Sequence, residues 1–233
     1  MGNAFRGMRN PLESWDRSDS IYSTNDTFHL GNKDKELAQR LIRAGNEHRK
    51  FMRQIIVSFD LTAPLYFWKE FDTYKVGTVS NSTSTMHKLA STPITLDCFE
   101  TDDYERDLIY LEGIDDSGDY PFDYFLSIKD IVETEGFNTY HEPTIIQFLE
   151  ELRLKYLETK DKKYWKELIR WLPESWLQTR TITLSYENIY NMIHQRQNHK
   201  LSEWNWLVEK FKQLPYSYEL LYSHIYTEEV NEN

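Results

Sequence analysis

The sequence predicts a mixed protein of the α/β or α+β class, a small central sheet covered by helices. Two observations carry this. Only two stretches, "IIVSFDLTAP" (55–64) and "TRTITLSY" (179–186), are rich in β-formers, and the first alternates with period two. Most of the remaining patterned sequence repeats its apolar residues at helical spacing, between proline or glycine stops.

Residues 1–32 sustain neither period and read as an irregular N-terminal arm. From Asp34 the recurrence of Leu37, Leu41 and Ile42 predicts a helix that Gly45 stops. In the strand that follows, Ile55, Val57, Phe59 and Leu61 oppose Ile56, Ser58, Asp60 and Thr62, which is the pattern of a half-buried strand. Pro64 ends it, and because proline is tolerated in a first helical turn, "PLYFWKEFDTYK" is expected to start a helix with Trp68, Lys69, Asp72 and Lys75 along one side. A run of hydroxyls comes next: Thr78, Ser80, Ser82, Thr83, Ser84 and Thr85. Two readings stay open for it, a polar lining that holds a ligand and a Ser/Thr-rich surface loop. Residues 97–126 hold many of the excess carboxylates and read as a solvated excursion, since the ligand spacing of a calcium loop is missing. "EPTIIQFLEELRLKYLETK" and "KKYWKELIRWLP" are amphipathic helices, and "YENIYNMIHQRQNHKLSEWNWLVEKFKQLP" is one or two more, closed by Pro215. The expected organisation is the arm at 1–32, one domain at 33–226, and a frayed tail at 227–233.

Charge and composition exclude several classes. With 27 Lys+Arg against 38 Asp+Glu the formal charge is -11, which repels a phosphate backbone, so nucleic acid is not an expected partner. No apolar run approaches the ~20 residues of a membrane span, so no membrane partner is expected. The single Cys98 rules out an internal disulfide and a thiolate cluster, and a cytoplasmic location is expected. There is no G-x-G-x-x-G, no P-loop and no H-E-x-x-H, so neither of those phosphate cradles is encoded and no metal is expected.

Arg196 carries the sharpest chemical signal. It continues the apolar row Ile189, Met192, Ile193, so a guanidinium ends an otherwise buried face and requires a partner there. A phosphate suits its planar geometry, and so does a structural carboxylate. Asn191 lies five residues earlier on the same helix.

These residues resemble a family. "DKELAQRLIRAGNEHRKFMRQIIVSFDLTAPLYFWKEFDTYKVGTVSNSTSTMHK" is similar to the N-terminal core of the flavin-dependent thymidylate synthases: a helix, a Gly-(His/Asn)-Glu turn, a strand ending in Ala-Pro, then an active-site helix. "LIRWLPESWLQTRTITLSYENIYNMIHQRQNHKLSEW" resembles that family's second conserved block, and Arg9 in "RGMRNPLESW" matches an early family arginine. The resemblance implies that fold and a homotetramer. It also implies FAD as hydride donor, methylenetetrahydrofolate and NADPH as co-substrates, and dUMP as the small-molecule nucleotide that accepts the one-carbon unit. The protein then orients the reactants while the cofactor supplies the chemistry, with no cysteine nucleophile.

Carried over by position, the resemblance assigns Asn191, Lys75 and Thr78 to the cofactor, Arg196, Arg9 and Thr85 to the substrate, and Ser82, Ser84 and Tyr74 to the catalytic group. Tyr74 and Trp68 are candidates to stack on a ring, or are core. The family's Arg-His-Arg triplet is replaced by Thr73, Tyr74 and Lys75, so one cation of three remains, and the arginine that should follow is Thr85. The exchange favours the alternative, a catalytically inactive protein that binds or sequesters a nucleotide in the same pocket.

Overall fold

Residues 1–101, 110–114, 121–125 and 145–223 are described in the computed structural model of the chain. The tail expected at 227–233 and much of the acidic excursion lie outside them. The chain forms two compact units, Met1–Leu61 with Phe71–Asn81 and Arg180–Asn233, and Thr62–Glu70 with Ser82–Thr179.

The first unit opens with a helix where the sequence predicts an irregular arm. Helix α1 (Gly2–Arg9) buries Ala4, Phe5 and Met8, a face too short to register as a period. Two 3₁₀ turns and an antiparallel hairpin, β1 (Ile21–Tyr22) and β2 (Phe28–His29), follow. This segment is tied down by charge. Arg9 Nε donates to Asp34 Oδ1 at 2.5 Å, with the two side chains 5% and 0% exposed. Ser18 Oγ (2.6 Å) and Ser20 N (3.2 Å) donate to the other carboxylate oxygen.

Asp34 stands in helix α2 (Asn32–Arg43), which begins two residues earlier than its periodicity suggests. The reason is a remote cap: Asp19 accepts from Lys33 N at 2.9 Å and Asp34 N at 3.1 Å. Gly31 permits that approach, since a Cβ there would lie 2.2 Å from Asp19 Cγ. The predicted stop holds, with Gly45 at φ +112° just past the helix.

Strand β3 (Ile56–Pro64) follows the predicted alternation: Ser58, Asp60 and Thr62 are exposed, Leu61 and Ala63 buried. Helix α3 (Leu65–Phe71) begins directly after Pro64 but stops at Phe71, well short of Lys75. Its residues do not share one side as expected. Trp68 is buried, its Nε1 donating to both Ala63 O (2.9 Å) and Gln178 O (3.0 Å), whereas Lys69 lies on the surface and pairs with Glu174. Trp68 is therefore core.

Strand β4 (Val79–Ser82) takes up two of the six residues of the hydroxyl run, Ser80 and Ser82. It flanks β7 (Leu177–Ser185), whose other neighbour is β3. Ser58 meets Thr183, Thr181 meets Asp60, and Thr62 meets Thr179, so positions step in opposite directions and β3 and β7 are antiparallel.

In the second unit a short helix α4 (Thr85–Lys88) is followed by β5 (Tyr110–Ile114) and β6 (Pro121–Phe125), an antiparallel pair inside the stretch expected as a loop excursion. Pro121 opens its strand, the position where a missing N–H does least harm. Helices α5 (Ile145–Thr159) and α6 (Lys162–Arg170) pack together, and their Leu149, Leu152 and Leu168 join Leu89, Ile94 and Phe99 in one core. The predicted C-terminal helical region divides in two, α7 (Tyr186–Arg196) and α8 (Ser202–Phe211), both in the first unit.

The Arg9–Asp34 pair gives a test. Burial opposes ionisation of Asp34 more than any other single influence, but hydrogen bonds from Ser18, Ser20 and Arg9, with the Arg9 charge, together hold its carboxyl below the ordinary value near 3.8. The carboxyl is depressed in the folded state, so its contribution is fully present above pH 3.8 and lost as pH falls through the lower folded value. Asp34→Ala should destabilise the protein by about 3–5 kcal/mol in urea denaturation at pH 7, because Arg9 is left buried and uncompensated. The gap between variant and wild type should narrow as pH falls below 3.8.

Candidate functional site

The most elaborate polar arrangement surrounds the first turns of α7. Ser185 ends β7 and caps the helix in a reciprocal box: its Oγ accepts from Asn188 N and donates to Asn188 Oδ1 at 2.6 Å, while Ser185 N donates to the same oxygen at 3.2 Å. The other end of that carboxamide reaches across the chain, Asn188 Nδ2 donating to Val76 O at 2.7 Å. This bond fixes the turn after α3. Gly77 in that turn has φ +77°, and a Cβ there would lie 3.3 Å from Asn188 Oδ1, so glycine meets both the backbone and the space requirement.

Between this turn, the 3₁₀ segment Lys50–Gln54 and α7 lies a cavity of about 670 Å³, within the usual range for small-molecule sites. Asn46, Arg53, Thr73, Tyr74, Asn191 and Gln195 line it. Two arginines behind the lining orient it. Arg49 is half-buried; its Nε lies 3.0 Å from Glu187 Oε2, its guanidinium covers the Tyr190 ring at 4.2 Å, and its Nη2 donates to Asn191 Oδ1 at 3.2 Å. Arg196 donates from Nε to Tyr74 Oη at 3.0 Å and lies 4.9 Å from the Trp204 ring centroid. Tyr74 in turn donates to Gln195 Oε1 at 2.9 Å.

The sequence-derived candidates scatter over the two units. Tyr74 and Asn191 line the cavity, and Arg196 touches it through Tyr74. Arg196 is half-buried as its place on the apolar row requires, with His199 as another neighbour at 3.1 Å. Lys75 is exposed on the same turn. The Thr78 hydroxyl is buried and has no hydrogen-bond partner among the described residues.

Ser82, Ser84 and Thr85 belong to the second unit and do not line this cavity. Ser82 is the exposed end of β4, Ser84 O accepts from Lys88 N at 2.9 Å, and Thr85 Oγ1 accepts from Gln178 Nε2 at 3.2 Å. The hydroxyl run is thus a strand edge and the start of a short helix. Arg9 is committed to Asp34 and lies outside the cavity lining.

Asn46, Arg49, Arg53, Asn188 and Gln195 were not singled out from the sequence. Arg49 and Arg53 are four apart, the one local hint that they share a face of a helical turn. Among the described residues no group of three or more His, Cys, Asp or Glu side chains is gathered for a metal, and no helix is long and apolar enough to cross a membrane.

No family model and no curated protein matches the sequence. Solved structures do. The chain is similar to flavin-dependent thymidylate synthase ThyX from Helicobacter pylori complexed with FAD and dUMP, with a TM-score of 0.56 and 18% identity over 94% of this chain and 91% of that one. A second structure of Thymidylate Synthase X from Helicobacter pylori with FAD and dUMP gives a TM-score of 0.56 and 18% identity, over 94% and 90% of the two chains. The chain has the fold of these enzymes, a mixture of helices with small sheets.

The capping box separates two effects by mutation. Asn188→Asp keeps an acceptor for Ser185 but sets a carboxylate oxygen against Val76 O in place of the donor; it should destabilise the turn and speed hydrogen exchange at Thr78 N. Asn188→Ala removes both and should cost about 0.5–2 kcal/mol in chemical denaturation.

Proposed function

We propose that this chain is a divergent member of the flavin-dependent thymidylate synthases that keeps a nucleotide pocket and no longer forms the flavin pyrophosphate site. The observation that supports this is the lining of the cavity at α7. Tyr74, held by Arg196, which the resemblance gives to the substrate, and Gln195 are far apart in sequence and share one wall-lined space of mononucleotide size. Three carboxamides offer hydrogen bonds suited to a pyrimidine and its sugar, and the Tyr74 ring offers a face.

FAD fits this lining poorly. Its pyrophosphate carries two negative charges, whereas the cavity is lined by one guanidinium, Arg53, and one carboxylate, Glu187. A single phosphate matches Arg53 alone. Its guanidinium already donates to Asn46 Oδ1 at 2.7 Å, which aims it and leaves further donors.

A second reading is favoured by the extent of the likeness, 94% of the chain on structures that hold FAD and dUMP. In it the protein carries out the whole reaction, one-carbon transfer from methylenetetrahydrofolate to dUMP with reduced FAD as hydride donor and NADPH as reductant. The missing cations then come from neighbouring subunits of a homotetramer.

The two readings part in one spectrum. After incubation with excess FAD and desalting, the protein is expected to be colourless while calorimetry detects dUMP binding. Retained flavin bands would overturn the first reading in favour of the second. Arg53→Ala should weaken dUMP by about 1–2 kcal/mol, less than a desolvated contact because Arg53 is exposed; unchanged affinity would remove the phosphate from this residue.

A further inference from the structure

The carboxamides of the cavity are held with one polarity. Oxygen and nitrogen of an amide are interchangeable in shape, so its orientation follows from its partners. Arginine donates and never accepts. Arg49 Nη2 at 3.2 Å therefore requires the oxygen of Asn191, and Arg53 Nη2 at 2.7 Å requires the oxygen of Asn46.

Gln195 is set by a relay. Tyr74 Oη accepts from Arg196 Nε and donates to Gln195 Oε1, the orientation of the amide that gives the tyrosine's hydrogen an acceptor. In all three amides the oxygen is engaged, and the NH2 group is the end left to a ligand. The fourth, Asn188, is engaged at both ends. Arg49 also meets both oxygens of Glu187, at 3.0 and 3.1 Å, which draws down the acceptor capacity of the one carboxylate in the lining.

We infer that Arg49 and Arg196 are positioning residues that set ligand choice: by holding the oxygens of Asn191 and Gln195 they present amide donors to the cavity, which selects a pyrimidine edge bearing carbonyl oxygen over one bearing an amino group. The inference rests on the nucleotide-pocket reading above. A carbonyl accepts from a fixed amide N–H. An amino group in its place sets donor against donor, and a fixed amide cannot rotate to answer it without leaving an arginine or the Tyr74 hydroxyl unmatched. A freed amide turns over and accepts, so the discrimination resides in the residues behind the lining.

The test is the ratio of affinities for dUMP and dCMP, measured by calorimetry on the full chain. Wild type should prefer dUMP by at least about tenfold, the scale of one lost hydrogen bond with an opposed donor. Tyr74→Phe removes the hydroxyl that holds Gln195 and keeps the ring; it should lower the ratio severalfold, chiefly by improving dCMP. Arg49→Met alone leaves Glu187 buried without its cation and is liable to unfold, so Arg49→Met is paired with Glu187→Gln, and this double variant should also lower the ratio. A merely structural role for these residues would weaken both nucleotides equally and leave the ratio unchanged, which would overturn the inference. Equal binding of both nucleotides by wild type would overturn it too, with the pocket intact; binding of neither would remove the pocket reading itself.

Discussion

The carboxamide of Asn188 is the constraint on which the candidate site depends. One end closes the N-terminus of α7 through Ser185, and the other holds the carbonyl of Val76, more than a hundred residues earlier. Without the first bond Ser185 N loses its acceptor and the Ser185 hydroxyl that caps the helix loses its anchor. Without the second, the turn that presents Thr73 and Tyr74 has no fixed distance from Asn191 and Gln195. A small polar side chain with both donor and acceptor is required because the two partners have opposite polarity.

Around that point the first unit uses buried arginines in two ways. Arg9 is enclosed with Asp34, and their charges, backed by Ser18 and Ser20, fasten the N-terminal segment to α2. Arg49 with Glu187 is less enclosed and has a hydrogen left for Asn191. Both pairs must overcome the cost of leaving water, so neither is a strong source of net stability, and what they supply is a single arrangement of neighbours. A chain with a formal charge of -11 has no shortage of carboxylates for this.

Thr73 and Tyr74 line the cavity and Lys75 is exposed on the same turn, so the wall this turn presents is formed by hydroxyls and a ring. Tyr74 brings a ring and a hydroxyl, and the hydroxyl accepts from Arg196 and donates to Gln195. The strands and helices of the scaffold are held by apolar packing, the Ile182, Leu184, Ile189, Met192 and Ile193 surfaces being buried, rather than by the lining.

What the sequence by itself determined is the set of elements with a period. The alternation through β3, the β-rich run of β7, the helical rows of α5 to α8, and the stops at Pro64 and Gly45 are all local, because the side chains that bury together on one element recur along it. The placement of Arg196 at the end of an apolar row was legible for the same reason. Tertiary structure decided the rest. Helix α1 is too short for its face to stand out, and α2 begins early because Asp19 reaches it from a distant turn. The hydroxyl run reads equally as a polar lining or a surface loop, and part of it is a strand edge, since its fate rested on β7 almost a hundred residues away. The meeting of Tyr74, Asn191 and Gln195, and the arginines that turn their amides, leave no trace in any window of sequence. A hydrogen bond between remote side chains depends on the distance and angle that folding produces, and residue type alone encodes neither.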